Sequence, residues 1–375
     1  MRTGGWCRGG WKSLTPSPCQ GATSPPSNKV TTSVKSSRKQ QRSHAAHRAL
    51  RCPGRIQPAD HLAFGLYKLK AKEQKEFVSD SVHWPIHDHC ADLEWSPRTT
   101  DKWETANILG DAGLPTIPVV AVIDGSETQY GETPTIRSGQ DLAKFLTGAR
   151  FPLFGKPKNL LGSLGALRIE GVDGDLLTLG DGMAVSCDEF VNELIGGVAY
   201  ILQEVVENHE ALGAMSTALA TVRTMNFVTP GSVRLAAAVL KIPVRGNVAD
   251  NFWRDGNLLA DVDPDSGVIA RAVSGTGPRQ VSHTVHPDTG AELVGMELPM
   301  WGELVELNQR TAELFSAISY QSLDLAITDN GPVVVEVNSG GSFELPQIAS
   351  GRGFLTRENR AFFESQGVNF KKLGR

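Results

Sequence analysis

The sequence has little cysteine and no long apolar run. Its five cysteines are spread over 375 residues, and none forms a Cys-x-x-Cys pair: Cys7, Cys19, Cys52, Cys90 and Cys187. A disulfide framework and a structural zinc site are therefore not indicated, and reduced thiols in a cytoplasm are the simple interpretation. No stretch approaches the roughly 18 consecutive apolar residues that read as a membrane span. The sequence thus predicts a cytoplasmic protein without a membrane-spanning helix.

Acidic residues are missing from the first 59 positions, which carry eleven Lys and Arg. The rest of the chain has 26 basic and 41 acidic residues, so the net charge of −4 combines a basic head of +11 with a body of −15. A nucleic-acid-binding face is expected to be basic. The acidic body therefore argues against a nucleic-acid partner.

Residues 1–59 are rich in Ser, Pro, Gly and Arg and poor in aliphatic side chains. Such a segment buries too little apolar surface to order itself. It has no apolar core of a secretory signal, although its composition fits an organelle transit segment. An upstream extension from a misplaced start codon is a further alternative. We favour a disordered basic extension over 1–59.

The pattern along the body predicts both helices and strands. Residues 60–97 read as amphipathic helix, and further helices are predicted over 100–109, 138–146, 188–195, 301–318 and 357–366. Strands are predicted over 119–123, 151–156, 166–170, 200–206, 218–228, 233–242, 258–262 and 268–273. Strands that neighbour one another in sequence, with helices packed on them, indicate an α+β architecture.

A cluster of histidines near Cys90 suggests a metal site at first sight. His83, His87 and His89 are spaced i, i+4, i+6, and Pro85 interrupts the run. This is not a recognised ligand frame. We interpret these histidines as surface residues near a Trp-Pro turn.

Residues 323–338 predict a β-hairpin, because two apolar runs flank the turn Asp329-Asn330-Gly331-Pro332. Alternation along the strands places Asp324 opposite Glu336 and Asn338 on one face. The core-facing residues are then Leu323, Leu325, Ile327, Val333, Val335 and Val337. Two carboxylates and an amide oxygen form the hard ligand set that Mg²⁺ takes beside phosphates. A half-exposed hairpin with ordinary polar residues is the alternative.

Residues 154–165 form a second informative stretch. A strand delivers Lys156, and a loop with Gly162, Ser163 and Gly165 follows. Glycines let backbone N–H groups close on phosphate oxygens, and the lysine adds a point charge. The loop is not a Walker A motif, since the lysine precedes the glycines. An ordinary strand followed by a loop is the alternative.

The apolar strand over 200–206 runs into an acidic end that contains Glu207 and Glu210. Its backbone groups suit an adenine edge, and a carboxylate after it suits ribose hydroxyls. A buried strand with a solvated acidic end explains the same residues without a ligand. The segment alone therefore does not decide between them.

Taken in order, these segments resemble the ATP-grasp superfamily. The resemblance covers roughly residues 98–350 and rests on Lys102, Lys156 with its loop, the strand end 203–206, and Asp324 with the Glu336-x-Asn338 pair. Five short strings resemble its sugar-transfer-associated, α-L-glutamate-ligase-like branch: Thr221-Val222-Arg223, Asp250-Asn251-Phe252, His286-Pro287-Asp288-Thr289-Gly290, Leu298-Pro299-Met300-Trp301, and Gly331-Pro332 with Glu336-Val337-Asn338.

The resemblance implies an α+β ATP-grasp fold, with two α+β subdomains and an ATP cleft between them. A helical segment over 60–97 is expected to precede them, because this stretch is too short for a separate Rossmann-like domain. The N-terminal subdomain with lid and hinge is expected over 98–206. The C-terminal subdomain with the metal site is expected over 207–375.

The resemblance also implies roles for individual residues. Lys102 and Lys156 are expected to contact the phosphates, and the lid is expected to contain Gly162, Ser163 and Gly165. The adenine is expected to contact Gln203, Glu204 and Val206. The ribose is expected to contact Glu207 or Glu210. Magnesium is expected at Asp324, Glu336 and Asn338, and the transferred phosphoryl group at Arg223 and Lys241. A lysine at 241, where arginine is expected, lacks the two-pronged guanidinium. The lid is also more apolar than the glycine-rich family form.

The implied activity is that of an ATP- and Mg²⁺-dependent ligase that joins a carboxylate to an amine through an acylphosphate, with Mn²⁺ as an alternative metal. A sugar or a cell-surface polysaccharide precursor is the candidate substrate, and His286, Trp301 and Gln347 are candidates for its pocket. Two alternatives stay open: an ATP-dependent phosphotransferase acting on a small hydroxyl acceptor, and a nucleotide-binding protein without turnover. The oligomeric state is also open, with a homodimer as one alternative.

Overall fold

The computed structural model describes residues 56–160, 165–244 and 246–374, with the side chain of Asp80 excepted. Most of the predicted basic extension lies outside the described residues, as do Gly162 and Ser163 of the predicted lid and three of the cysteines. Cys90 and Cys187 are described, and both are buried free thiols. Within these ranges, no helix combines the length and the apolar character that a membrane crossing requires.

Two β-sheets organise the described part of the chain. The first contains the strands β1 (Val119–Ile123), β2 (Thr135–Ile136), β3 (Leu153–Pro157), β4 (Leu167–Asp173), β5 (Leu176–Leu179), β6 (Ala184–Ser186) and β7 (Tyr200–Glu204). Their spatial order is β2-β1-β7-β3-β4-β5-β6. The last strand in sequence is thus inserted between β1 and β3, antiparallel to both.

The second sheet contains β8 (Thr221–Thr229), β9 (Ser232–Ile242), β10 (Leu258–Val262), β11 (Ile269–Ser274), β12 (Val281–His283), β13 (Tyr320–Thr328) and β14 (Gly331–Ser339). Their order is β12-β11-β10-β9-β8-β13-β14, and adjacent strands are antiparallel. The chain passes from the first sheet to the second between Glu204 and Thr221.

The described helices are α1 (Pro58–Ala63), α2 (Ala71–Gln74), α3 (Asp80–Cys90), α4 (Trp95–Thr100), α5 (Lys102–Asp111), α6 (Gly139–Leu146), α7 (Cys187–Glu189), α8 (Glu210–Gly213), α9 (Trp301–Leu314), α10 (Glu344–Ser350) and α11 (Arg357–Ser365). Short 3-10 turns lie at Leu66–Lys68 and Gly277–Arg279, and a π-helical turn lies at Phe190–Leu194. The sequence pattern does not predict β2, β5, β6, β12, α8 or α10, because elements of two to seven residues show at most about two periods of alternation.

The two faces of the second sheet are covered differently. On one face, Leu304 and Leu307 of α9 pack in a core with Leu240 and Leu323 of the strands. On the other face, the helical segment over 60–97 and the C-terminal helices cover part of the strands with apolar side chains. The rest of this second face carries polar side chains, namely Thr221, Arg223, Lys241 and Asp324. These polar residues form the floor of a cleft.

Strands β13 and β14 form the predicted hairpin, with a two-residue turn between them. A β-bulge after Asp324 places Leu325 opposite Val334, so that Val335 is the extra residue. Val334 is fully buried in the core, whereas Val333 and Val335 are partly exposed. The prediction that Val333 and Val335 face the core is therefore wrong, because the bulge shifts the alternation of side chains within β14.

Helix α3 runs through Pro85 without a turn. Val82 and Ile86, four residues apart, are buried against the second sheet, and this packing outweighs the hydrogen bond that proline cannot donate. His83 is also buried, with its ring edge-on to Phe343 at a centroid distance of 4.7 Å. The interpretation of His83 as a surface residue near a turn is therefore wrong.

Candidate active site

A cleft of about 880 Å³ is lined by residues from both sheets. The first sheet contributes Lys156 and the end of β7, and the second sheet contributes the floor. Eleven of the residues proposed from the sequence line this cleft: Lys102, Lys156, Gln203, Glu204, Val206, Glu207, Arg223, Lys241, Asp324, Glu336 and Asn338. The fold thus brings together residues that are up to 236 positions apart in sequence.

Strand pairing aligns three charged residues in one row across the floor. Arg223 of β8 is opposite Asp324 of β13, and Asp324 is opposite Glu336 of β14. One step further along the hairpin, Ser322 is opposite Asn338. Residues two positions apart on a strand point to the same face, so all five side chains meet on the cleft side.

The carboxylate of Asp324 is held by two cations. Arg223 donates from Nε to Oδ1 at 2.8 Å and from Nη2 to Oδ2 at 2.6 Å. The ammonium of Lys241 lies 3.2 Å from Oδ2. Burial disfavours the charged form of Asp324, but these two cations outweigh it and hold the pKa of the carboxyl well below its ordinary value.

Asp250 is a buried acidic residue of the floor to which the sequence gives no role. Its carboxylate lies 3.1 Å from Nζ of Lys241 and accepts a hydrogen bond from the hydroxyl of Thr221. The position lies in one of the strings that resemble the ATP-grasp branch, and that string is the signal that singles it out. Asp250 and Asp324 therefore share one lysine.

Lys102 enters the cleft from the start of α5. The N-cap residue Asp101 accepts hydrogen bonds from the backbone of Trp103 and Glu104 and also pairs with Lys158. These bonds fix the first turn of the helix. They place Nζ of Lys102 at 3.3 Å from Oε1 of Glu336.

Lys156 lies beside the same group. Burial lowers the pKa of Lys156 to about 8, and the positive charge of Lys102 acts in the same direction, against the attraction of Glu336. A lysine with this pKa is still mostly charged at neutral pH, and a bound anion favours the charged form. Lys156 is therefore suited to contact a phosphate.

The segment that joins the sheets carries the predicted adenine and ribose residues. Glu204, Val206 and Glu207 line the cleft. Gln203 also lines it, but its buried side chain donates from Nε2 to the carbonyl of Ile117 at 2.9 Å and so ties β7 to the segment before β1. Glu210 is not among the lining residues, and its backbone N–H donates to Oδ1 of Asp329 at 2.9 Å. Of the two ribose candidates, the structure places Glu207 in the cleft.

The sequence profile of the sugar-transfer associated ATP-grasp family matches residues 94–361. The chain belongs to this family. The α+β ATP-grasp fold with a preceding helical segment is thereby confirmed. No curated protein sequence matches this chain.

Solved structures with some likeness include ligases of low sequence identity. An L-amino acid ligase from Bacillus licheniformis has a TM-score of 0.39 and 10% identity, over 72% of this chain and 50% of its own. A D-alanine–D-alanine ligase from Bacillus anthracis has a TM-score of 0.41 and 13% identity, over 75% and 71%. VanG D-Ala:D-Ser ligase from Enterococcus faecalis has a TM-score of 0.40 and 12% identity, over 74% and 64%. The chain thus spans about half the length of the first of these proteins.

Gly165, the one residue of the predicted lid that the structure describes, is held by the side chains of Pro157 and Tyr200. Gly165 has a φ of +73°, and an added Cβ would lie 3.2 Å from Cγ of Pro157. Its carbonyl accepts a hydrogen bond from Oη of Tyr200 at 2.7 Å. Gly165 does not line the cleft, whereas Leu160 and Ala166 do.

The three residues suggested for the acceptor pocket lie outside the cleft, so that suggestion is wrong. His286 is buried in the turn after β12, where its backbone N–H donates to Ala291. Trp301 is the first residue of α9 and packs in the core. The side chain of Gln347 accepts from the N–H of Val78 and donates to its carbonyl, so it joins α10 to the N-terminal segment.

The oxygen ligands on the hairpin fit a hard divalent cation. Asp324, Glu336 and Asn338 offer carboxylate and amide oxygens only. A cation would bind Oδ1 of Asn338, while its Nδ2, a donor, is buried without a hydrogen-bond partner. In the described ranges, no group of three His, Cys, Asp or Glu residues converges at metal-binding distances. The fit therefore depends on the amide of Asn338 and on phosphate oxygens to complete the ligand set.

Proposed function

We propose that the protein is an ATP- and Mg²⁺-dependent ligase that joins a carboxylate to an amine through an acylphosphate. The observation that carries the proposal is the row Arg223, Asp324 and Glu336 across three adjacent strands, with Lys102 and Lys156 beside it. Membership of the ATP-grasp family supports ATP as the nucleotide.

In the proposed reaction, a carboxylate oxygen of the acceptor attacks the γ-phosphorus of ATP, and ADP leaves. The amine nitrogen then attacks the acyl carbon, inorganic phosphate leaves, and the amine loses a proton as the amide forms. Phosphoryl transfer depends mainly on positioning and charge neutralisation. Lys156, Arg223 and Lys241 would provide much of this positive charge.

A bound Mg²⁺ would add charge neutralisation between the phosphates. Glu336 and Asn338, together with Asp324, would hold it. Because Asp324 is already bound by Arg223 and Lys241, Glu336 is the carboxylate with the larger share of free oxygen. Its partner Lys102 is well placed to move from this carboxylate to a phosphate oxygen.

The pairing of the acidic residues favours a carboxylate acceptor over a hydroxyl acceptor. A hydroxyl must lose its proton as it attacks, which calls for a general base. In the floor of the cleft, Asp324 is paired with Arg223, Asp250 with Thr221 and Lys241, and Glu336 with Lys102. A carboxylate is already ionised at neutral pH and is attracted by the same basic side chains, so it needs no such base.

We also propose that the acceptor is linked to a sugar or to a cell-surface polysaccharide precursor, and that the protein works in the cytoplasm. The family description, which associates its members with sugar transfer, supports the first point. The free thiols of Cys90 and Cys187 support a reducing compartment.

The experiment is an ADP-release assay with paired acceptors and mass spectrometry of the products. The proposal predicts multiple-turnover ADP release that requires both a carboxylate and an amine, and a product equal to their sum less one water. Hydroxylamine in place of the amine should trap the acylphosphate as a hydroxamate. A phosphoester product would instead support the phosphotransferase alternative, and ATP binding without product would support a protein without turnover.

A further inference from the structure

One end of the cleft is formed by α3 and by the residues around the end of β14. The lining residues that matter here are His83, Trp84, Ser322, Asn338, Ser339 and Gly341, and we call them the neutral end. None carries a formal charge, since burial lowers the pKa of His83 to about 4. The basic side chains of the floor belong to the neighbouring part of the cleft.

Contacts join the two elements of the neutral end. The ring of His83 meets Phe343 edge-on at 4.7 Å, and Nε2 of His87 lies 3.0 Å from the carbonyl of Ser339. Gly341 lies so close to β13 that an added Cβ would be 2.7 Å from Oγ of Ser322. Helix α3 and the 339–343 segment therefore form one continuous surface.

Three polar atoms of the neutral end are buried without hydrogen-bond partners. These atoms are Nδ1 of His83, Oγ of Ser322 and Nδ2 of Asn338. His83 is 3% exposed and Ser322 is 0% exposed. Eight side-chain atoms of the described residues are buried without a partner, and three of them lie in this wall of the cleft, where they favour a ligand with several hydroxyl or amide groups.

Trp84 supplies an apolar surface beside these atoms. Its side chain lines the cleft and is 57% exposed. The rings of His83 and His87 meet it edge-on at centroid distances of 5.1 and 5.6 Å, so they support its orientation. An exposed, supported indole next to neutral hydrogen-bonding groups combines a stacking surface with directional polar contacts.

The neutral end is one ring's width from the phosphate site. Ser322 and Asn338 are two residues along their strands from Asp324 and Glu336, which corresponds to about 7 Å. A ring bound at Ser322 can therefore direct one substituent toward the row of charged residues. A free amino acid fits less well there, because its ammonium and carboxylate would be desolvated without opposite charges.

We propose that the neutral end binds the uncharged, polyhydroxylated ring of a saccharide acceptor, with one face of the ring on Trp84 and its hydroxyl groups on His83 and Ser322. This inference rests on the proposed function, because it assigns the second substrate of the same cleft. It places the reactive group of the saccharide toward Arg223 and Lys241.

The test measures ligand binding separately from catalysis. Saturation-transfer NMR and calorimetry would be applied to the full chain, loaded with Mg²⁺ and a non-hydrolysable ATP analogue. The probes are methyl glycosides of common hexoses, uronic acids and free amino acids. Two variants remove the proposed contacts, Trp84→Ala and Ser322→Ala.

Each variant has a matched control outside the cleft. Leu176→Ala truncates an apolar side chain that is 52% exposed on β5. Thr311→Val removes a hydroxyl that is buried without a partner, like that of Ser322, but lies on α9. We expect each cleft variant to weaken saccharide binding by about fivefold, as the loss of one neutral contact implies, and each control to leave it within about twofold.

Binding of amino acids but of no saccharide would overturn the inference, as would equal saccharide affinity in all four variants. Affinity for the ATP analogue is measured in the same samples. If the analogue binds and a non-saccharide acceptor yields an amide, the inference fails and the proposed function stands. If the analogue does not bind at all, the proposed function fails with it.

Discussion

Arg223 and Asp324 lie opposite each other on β8 and β13 and are joined by two hydrogen bonds, at 2.8 and 2.6 Å. Lys241 approaches the same carboxylate at 3.2 Å. The central acidic residue of the floor is thus fixed in position by two basic ones. Removal of either partner leaves a buried charge less compensated.

Arg223→Met tests this relationship through stability. The substitution leaves Asp324 buried with Lys241 as its closest cation, and we expect the free energy of unfolding to fall by about 3 kcal/mol. Adding Asp324→Asn to the same chain removes the stranded charge and should recover a large part of that loss. Urea unfolding of both variants checks this, and a double variant no more stable than Arg223→Met would contradict it.

Lys102→Met should change metal binding in the absence of nucleotide. Nζ of Lys102 lies 3.3 Å from Glu336 and competes with a divalent cation for that carboxylate. Because such a partly exposed ion pair contributes up to about 1 kcal/mol, Mn²⁺ affinity should rise by up to about fivefold. ATP affinity should fall in the same variant. Mn²⁺ titration followed by electron paramagnetic resonance measures the Mn²⁺ affinity. An unchanged affinity would show that Lys102 does not compete with the cation for Glu336.

Lys156 should make ATP binding depend on pH. Burial lowers its pKa to about 8, so the side chain loses its charge in the free protein above that pH. ATP affinity should then fall about tenfold per pH unit above 8, and binding at pH 8.5 should take up a proton. Calorimetry in buffers of different ionisation enthalpy measures the uptake. Lys156→Gln should abolish both effects, whereas a wild-type affinity that is flat from pH 7.5 to 9.5 would contradict the prediction.

The same lysine has a predictable effect on stability. Its pKa is about 8 in the folded protein and about 10.4 in the unfolded chain, so the unfolded chain binds more protons between these values. Its contribution to the free energy of unfolding therefore rises with pH across this window. The difference in the free energy of unfolding between wild type and Lys156→Gln, measured as a function of pH, isolates this contribution.

His83 should weaken the fold in acid. Burial, with a smaller effect of the charge on His87, lowers the pKa of His83 to about 4, against about 6.5 in the unfolded chain. The unfolded chain binds more protons between these values, so the contribution of His83 is lost as pH falls from 6.5 to 4, by about 3 kcal/mol in all. His83→Gln should remove this part of the pH dependence, and the exposed His89→Gln should not. Identical pH slopes for the two variants would exclude a buried neutral His83.

The sequence predicts much of the fold where the pattern is local. The hairpin of β13 and β14 follows from alternating apolar residues around the turn Asp329-Asn330-Gly331-Pro332. The expectation of ATP and Mg²⁺ follows from the resemblance of its polar residues to one family. The bulge after Asp324 does not follow, because it depends on which residues pair across the strands. As a result, Val334 is buried and Val335 is partly exposed, the reverse of the expectation from alternation.

The sequence predicts many of the residues of the candidate site, but not which of them pair with one another. Arg223 and Asp324 are 101 residues apart, and no local pattern shows that they are opposite each other. Asp250 acquires a role only when β9 brings Lys241 beside it. The neutral end is missed for a similar reason: the sequence suggests a turn at Pro85, and only tertiary packing keeps α3 intact and brings His83 to the cleft.

The most direct test of the account compares two glutamates of the same cleft. Glu336→Gln removes the proposed metal carboxylate, and Glu170→Gln changes a lining residue of the first sheet that pairs with Arg168. The measurement is the rate of ADP release at saturating ATP, Mg²⁺ and acceptor. We predict a loss of about 100-fold or more in kcat for Glu336→Gln, as for removal of a group that stabilises transition-state charge, and a near wild-type rate for Glu170→Gln. Full turnover by a folded Glu336→Gln variant would contradict the assignment of the hairpin as the metal end of an ATP cleft.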